Sequence, residues 1–221
     1  MKVIVVAPHP DDETLGCGGS LLKHIENKDE VSWIIVTSIT ESTGYSKKAI
    51  LNRSSEINKV YSKYNFKNLI RLDVPTTQVD QISTSKLVEK FSRTFQELKP
   101  NLVYMPYYDD VHTDHKTISN SILSNIKWFR HNYIKKVLMY ETISETEFNF
   151  NSIPGFKPNV FNDITNFLNE KLDIIKIYKS EIREFPFPRS EKNIKSLSFF
   201  RGAQSGFGAA EAFQLVFERQ E

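Results

Sequence analysis

The chain lacks the features that mark several large classes of protein. It has one cysteine, Cys17, in 221 residues, so no intrachain disulfide can form and the disulfide-stapled scaffolds are excluded. Cys17 reads as a small buried helix residue rather than a soft metal ligand. No apolar run approaches the roughly 20 residues of a membrane span. The 29 basic and 27 acidic residues leave a net charge of +2, mixed along the chain without a block of one sign. Nothing there draws the chain to nucleic acid or to an anionic membrane. The N-terminus enters a strand at once and leaves no room for a signal peptide, so the cytoplasm is the expected location. There is no internal repeat, low-complexity tract or linker. One domain over residues 1–221 is expected, long enough to bury a substantial core.

What is present centres on the first thirteen residues. Val3-Ile4-Val5-Val6 is a β-branched run that reads as a fully buried strand of a parallel sheet. Pro8 and Pro10 end it, since neither can donate to a sheet ladder. His9, Asp11, Asp12 and Glu13 crowd the turn, and Thr14 to Leu22 open a helix. A polar cluster where a buried strand gives way to a helix lies at the carboxyl edge of the sheet, where open α/β folds bind ligands. Positions i and i+3 of a tight turn converge, so His9 and Asp12 can face one metal ion while Asp11 stays free beside it. Capping of the helix by its acidic first turn accounts for the carboxylates but not for a histidine between two prolines.

Further elements follow in alternation. Val31–Thr37 predicts a second strand, completing a βαβ unit with a right-handed crossover. Ser38 to Ser46 is a polar loop on the ligand edge. Lys47–Tyr64 predicts a helix, Asn68–Leu72 a third strand ending in Asp73-Val74-Pro75, Gln81–Leu98 a helix, and Leu102–Pro106 a fourth strand. Thr117–Phe129 predicts another helix and Lys135–Tyr140 a fifth strand. Glu141–Asn159, with Pro154, Gly155 and Pro158, reads as an irregular loop over the site. Leu168–Arg183 predicts a helix before Pro186 and Pro188, and Phe213–Phe217 a last strand after a glycine-punctuated turn.

A second polar cluster, Asp109-Asp110-Val111-His112-Thr113-Asp114-His115, follows the fourth strand. The carboxyl ends of parallel strands share one edge, which brings His112 and His115 toward His9 and Asp12. Three of the five histidines lie in these two clusters; His24 and His131 read as ordinary helix or surface residues. One or both of His112 and His115 complete a two-histidine, one-carboxylate set. Such a set suits hydrolytic zinc and also the iron centre of oxygenases. The alternation of strands and helices, and Asp11 as a general base beside an attacking water, favour hydrolysis. Gly16, Gly18 and Gly19 have the wrong spacing for a dinucleotide fingerprint, and the preceding carboxylates would repel a pyrophosphate.

Pro8-His9-Pro10-Asp11-Asp12-Glu13, Leu15-Gly16-Cys17-Gly18-Gly19 and His112-Thr113-Asp114-His115 together resemble the PIG-L/LmbE-like N-deacetylases. The resemblance extends to Arg53-Ser54-Ser55-Glu56, to Pro158–Thr165, and to the ending from Arg201-Gly202 to Glu211-Ala212-Phe213. It implies a Rossmann-like, three-layer α/β sandwich with a mostly parallel sheet. It implies zinc, or another divalent ion such as iron(II), held by His9, Asp12 and His115. Asp11 then matches the general base, and His112 the residue that stabilises the oxyanion or protonates the leaving amine. Asp114 matches a carboxylate that tunes a neighbouring imidazole, and Arg53 a sugar-contacting arginine. The implied reaction is removal of an N-acetyl group from an N-acetylglucosamine-type amino sugar or conjugate. The alternatives are hydrolysis of another small N-acyl metabolite and a non-catalytic sugar- or nucleotide-binding module. Two features depart from the family pattern: Ser180-Glu181 stands where many members have Ser-Gln, and Asp110 where some have tyrosine.

Bland readings stand beside these. Arg53 and Glu56, three apart on a helix, suit a solvent ion pair worth a few tenths of a kcal/mol. Asp73 suits a turn cap as well as a substrate contact. Arg201 and Glu211 suit a pair that fixes the last strand as well as they suit substrate binding. The expected partner is a small N-acetylated sugar, with no nucleic acid; homo-oligomerisation is compatible with the sequence and unspecified by it.

Overall fold

The computed structural model describes residues 1–150 and 155–220; Pro154, one of the markers of the irregular stretch, lies outside them. All seven described strands join one sheet: β1 (Lys2–Ala7), β2 (Glu30–Ser38), β3 (Asn68–Pro75), β4 (Leu102–Pro106), β5 (Lys136–Tyr140), β6 (Val160–Asp163) and β7 (Ala210–Glu218). Their order is β3-β2-β1-β4-β5-β7-β6. β1 pairs in parallel with both β2 and β4, and β2 with β3 and β4 with β5 are parallel too. β7 runs antiparallel to β5 and β6.

Side-chain alternation along the strands divides the core in two. Val3, Val5, Trp33, Tyr104 and Tyr140 face α1 (Asp12–Glu26), α2 (Lys47–Tyr64), α5 (Leu168–Ile175) and α6 (Glu191–Ser205). Ile4, Val6, Ile34, Val103 and Met139 face α3 (Thr84–Leu98) and α4 (Thr113–Leu123). The result is the three-layer sandwich with a mostly parallel sheet. Strand order reverses between β1 and β4, and the crevice outside their carboxyl ends is the switch point where α/β sheets bind ligands.

Several expected boundaries differ. α4 begins four residues before the expected Thr117, because its N-cap is His112, whose Nδ1 accepts from Asp114 N. Histidine lies outside the usual capping set, so the start carries no familiar signal. α4 ends at Leu123 because Asn125 turns the chain by donating to Ser121 O and Val88 O. The helix expected to reach Arg183 stops at Ile175, since the next residues bond elsewhere: Tyr178 OH donates to Glu13 and Lys179 N to Glu56. Among the described strands and α-helices, two carry no clear signal in the sequence. β6 is a four-residue edge strand, half-buried throughout. α6 buries only Ile194, Ser198 and Gly202 and leaves Phe199 and Phe200 exposed, so its buried stripe carries little apolar signal. A Cβ at Gly202 would come within 2.6 Å of Phe207 O, which is why the α6–β7 corner requires glycine there.

Candidate active site

The turn after β1 is fixed from below. Thr37, at the end of β2, donates to Pro8 O through both its N–H and its hydroxyl. His9 N donates to Asp12 Oδ2 at 2.8 Å. Asp11 then takes φ 128°, a region that costs a non-glycine residue about 1–3 kcal/mol. Asp11 flanks the N-terminus of α1, yet its side chain makes no capping bond. Its carboxylate faces the crevice instead. Glu13 does the local holding: it is fully buried, and it accepts from Asp11 N, Thr14 Oγ1 and Tyr178 OH.

His9 Nδ1 lies 3.4 Å from Asp12 Oδ2, and His115 Nε2 lies 3.3 Å from the same oxygen. The ligand atoms of His9, Asp12 and His115 all fall within 4.8 Å of one another. His115 Nε2 is buried and has no hydrogen-bond partner, and a polar atom left so is costly unless something else occupies it. The other nitrogen of each histidine is held by a carboxylate. Asp114 Oδ2 accepts from His9 Nε2 at 3.0 Å, and Asp110 Oδ2 from His115 Nδ1 at 2.8 Å. Thr77 N steadies Asp114, and Thr146 Oγ1 steadies Asp110. Two imidazoles each backed by a carboxylate, converging with a third oxygen donor, fit a zinc-type cation.

The electrostatics agree. Burial disfavours a charged His115, but the Asp12 charge and the Asp110 hydrogen bond outweigh it and raise the imidazole to about 10. Burial likewise opposes charge on His9, and Asp114 and Asp12 raise it to about 9. Both rings sit in a field that favours a cation. His112 differs: burial and the neighbouring His9 and His115 lower it to about 4. It is therefore neutral near pH 7. Its Nδ1 accepts from Asp114 N at 3.1 Å, so its proton resides on Nε2, where it can be donated. Burial pushes Asp11 up to about 8, against the pull of Arg189; a cation held by His9, Asp12 and His115 would draw it down.

A cavity of about 290 Å³ opens on these groups. His9, Asp11 and His112 line it. Its walls include Tyr45, Arg53, Asp73, Thr77, Glu181 and Arg189. Arg53 does pair with Glu56, Nε lying 3.3 Å away, but both side chains are largely buried rather than in solvent. It also donates to Pro10 O at 2.9 Å, to Ser180 Oγ and to Glu181. Asp73 sits exposed at the end of β3 with φ 50°.

The other two expected contacts lie elsewhere. Arg201 is held by both oxygens of Glu141, at 2.7 and 2.6 Å. Glu211 accepts from Gly19 N, Ser20 N and Lys171 Nζ. Neither lines the cavity, and they do not pair with each other: each is tied to a different partner. The reason for Glu211 is a break in α1 at Cys17 (φ −145°). The N–H groups just beyond the break turn to Glu211, while Lys171 Nζ donates to Leu15 O.

Several site residues carry no clear signal in the sequence, among them Asp110 and Glu13 in their actual roles, Tyr45 and Thr77 on the wall, and Arg189. Asp110 and Glu13 lay in plain view inside the two clusters, but their targets depend on three-dimensional placement. Arg189 stands in a proline-rich loop and carries no local signal.

The PIG-L family model, described as GlcNAc-PI de-N-acetylase, matches residues 4–126, more than half of the chain. Diacetylchitobiose deacetylase of Thermococcus kodakarensis is 22% identical over 227 residues, covering 97% of this chain and 83% of that protein. Among solved structures, N,N'-diacetylchitobiose deacetylase from Pyrococcus horikoshii, complexed with its inhibitor MPG, superposes with a TM-score of 0.77 at 18% identity, covering 97% and 83% of the two chains. GalB, the 4-carboxy-2-hydroxymuconate hydratase of Pseudomonas putida KT2440, superposes with a TM-score of 0.75 at 15% identity over 100% and 98%. At such identities the structural likeness shows the fold, and this fold hosts more than one chemistry. The match of the family model to both polar clusters goes further: the chain belongs to the PIG-L family of de-N-acetylases.

Proposed function

We propose that this protein is a zinc-dependent hydrolase that removes an N-acetyl group from an N-acetylglucosamine-type amino sugar or its conjugate. One observation carries the reading. His9 Nδ1, Asp12 Oδ2 and His115 Nε2 converge beside a carboxylate, Asp11, that is free of the convergence and does not cap its helix. A cation bound there supplies Lewis acidity, polarising the amide carbonyl and acidifying water. Iron(II) can occupy the same donors, but hydrolysis requires no redox change. Asp11 accepts the proton of the attacking water. His112 donates a hydrogen bond from Nε2–H to the carbonyl oxygen as negative charge develops there. Asp11 then lies where it can return the proton to the departing nitrogen, and acetate leaves with the bond to the sugar amine broken. Arg53 and Asp73 on the cavity wall offer a donor fork and an acceptor suited to sugar hydroxyls.

No described helix is long and apolar enough to cross a membrane. We likewise propose a cytoplasmic location and a single domain over residues 1–221. The test is a panel of N-acetylated sugars and conjugates, assayed for acetate and free amine with zinc and after chelation. Stoichiometric acetate and amine that vanish on chelation and return with zinc are expected. Addition of water to an alkene acid without acetate release would instead favour a hydratase, and bound sugar left intact would favour a binding module.

A further inference from the structure

Asp11 is held in place largely by residues far along the chain. Its N–H is tied by Glu13 at 3.1 Å, which fixes the backbone but leaves the carboxylate free to swing. Among the described residues, the hydrogen bond that fixes the carboxylate comes from Arg189: Nη1 donates to Asp11 Oδ2 at 2.7 Å. Arg189 is itself held from several sides. The same Nη1 donates to Glu181 Oε2 at 3.0 Å, Nη2 to Glu145 Oε1 at 3.3 Å and Nε to Ser144 Oγ at 2.8 Å. Its side chain is largely buried. Glu181 also binds Arg53, which grips Pro10 O, the carbonyl just before Asp11. Two guanidiniums, joined by one carboxylate, thus bracket the Pro10–Asp11 turn from outside. A strained backbone persists only where its surroundings over-determine it, and this bracket does so.

We propose that Arg189 is a positioning residue: it aims the Asp11 carboxylate at the attacking water, and Glu181 couples that aim to Arg53 on the sugar-facing wall. The inference rests on the reading of Asp11 as general base. A positioning residue acts on every substrate that needs the base, whereas a sugar contact acts on sugars alone. A misplacement of about 1 Å costs on the order of 100-fold in rate.

The experiment compares zinc-loaded wild type, Arg189→Ala, Arg189→Lys, Asp11→Asn and the double variant Asp11→Asn/Arg189→Ala. Each is assayed on an N-acetylated sugar and on a small acetate ester, with zinc content measured. For Arg189→Ala we expect kcat to fall roughly 10- to 100-fold on both substrates, with KM within about twofold and zinc retained. Arg189→Lys and added millimolar guanidinium should each restore part of the loss. In the Asp11→Asn background, Arg189→Ala should add nothing. A loss confined to the sugar and expressed in KM would overturn the proposal, as would a full further loss in the double variant. Should Arg189→Ala fold poorly, failure of both the lysine variant and guanidinium to recover kcat overturns it equally. Asp11→Asn with full activity would sink the base assignment, and this proposal with it. A crippled Asp11→Asn beside an unaffected Arg189→Ala sinks this proposal alone.

Discussion

Of the buried ion pairs that join distant parts of the described chain, two differ in one respect that matters. Lys171 and Glu211 are 3% and 4% exposed. Glu211 also takes two backbone N–H groups, and Lys171 also donates to Leu15 O. The set is closed, and its role is to mend the break in α1. Arg189 and Asp11 form the other pair. The arginine is held by three carboxylates and a hydroxyl, but Asp11 faces a cavity and the cation ligands. A pair whose further bonds go to backbone is architecture; a pair left open toward a cavity is machinery. Position in the sequence does not separate the two, for Glu211 and Arg189 lie outside both polar clusters.

The sharpest way to break this comparison is to open the closed pair. Lys171→Met leaves Glu211 with its backbone donors but no cation, and should cost about 3–5 kcal/mol of stability while kcat of the folded protein stays unchanged. Denaturant unfolding and active-site-normalised turnover check it; a fall in kcat at unchanged stability would place Lys171 in the machinery. Next comes the carboxylate behind His115. Asp110→Asn should weaken zinc affinity by roughly 10- to 100-fold, read by competition with a chelator, while apparent kcat at saturating zinc recovers most of its value. Asp110→Asn with unchanged affinity would make that hydrogen bond mere packing. Arg53→Ala should then lower kcat/KM on an N-acetylated sugar by about 1–3 kcal/mol. If Arg53 serves the sugar alone, a small ester is spared; if it serves the base through Glu181, the ester suffers in proportion. Matching small effects from Arg53→Ala and Glu56→Ala on all substrates would return Arg53 to the plain ion pair.

The smallest expected effect is a pH dependence of the metal-free protein. His9 and His115 are raised to about 9 and about 10, so the stability they contribute is full below about 6.5 and is lost as pH rises through those values. Buried Asp11 and Glu13, raised to about 8 and about 7, act with the same sign. They fold well while neutral, and their burial becomes costly as pH climbs above about 4 toward those values. His112, lowered to about 4, acts with the opposite sign below about 6.5, so the metal-free protein should lose stability between about pH 6.5 and pH 10. Zinc replaces the imidazole protons and should flatten the upper part of that slope. Thermal unfolding at pH 6 and pH 9, with and without zinc, reads it directly; a metal-free Tm that rises over this range would contradict the site's electrostatics.

Much of the fold was legible because its signals are local. α2 and β4 occupy the residues their patterns predict, Lys47–Tyr64 and Leu102–Pro106. The β1 turn announces itself by a histidine between prolines. The parallel order of β1, β2 and β4 then brings the two polar clusters together without further information. What was hidden is non-local. α6 buries a serine and a glycine where a reader looks for leucines. α5 ends early because Tyr178 and Lys179 have partners in α1 and α2. Arg189 is indistinguishable in sequence from Arg183 a few residues earlier, until the loop carries it over Asp11. Glu181 looked like a departure from the family pattern; in the structure its charge is matched by both Arg53 and Arg189.

The central claim is that one carboxylate, Asp11, acts as base beside a cation held by three other residues. The most direct measurement compares zinc-loaded wild type with Asp11→Asn for bound zinc and for acetate release from an N-acetylated amino sugar. The account predicts one zinc per chain in both proteins and a turnover lower by roughly two to four orders of magnitude in Asp11→Asn. Equal turnover, or a loss of zinc that accounts for the loss of activity, would contradict it.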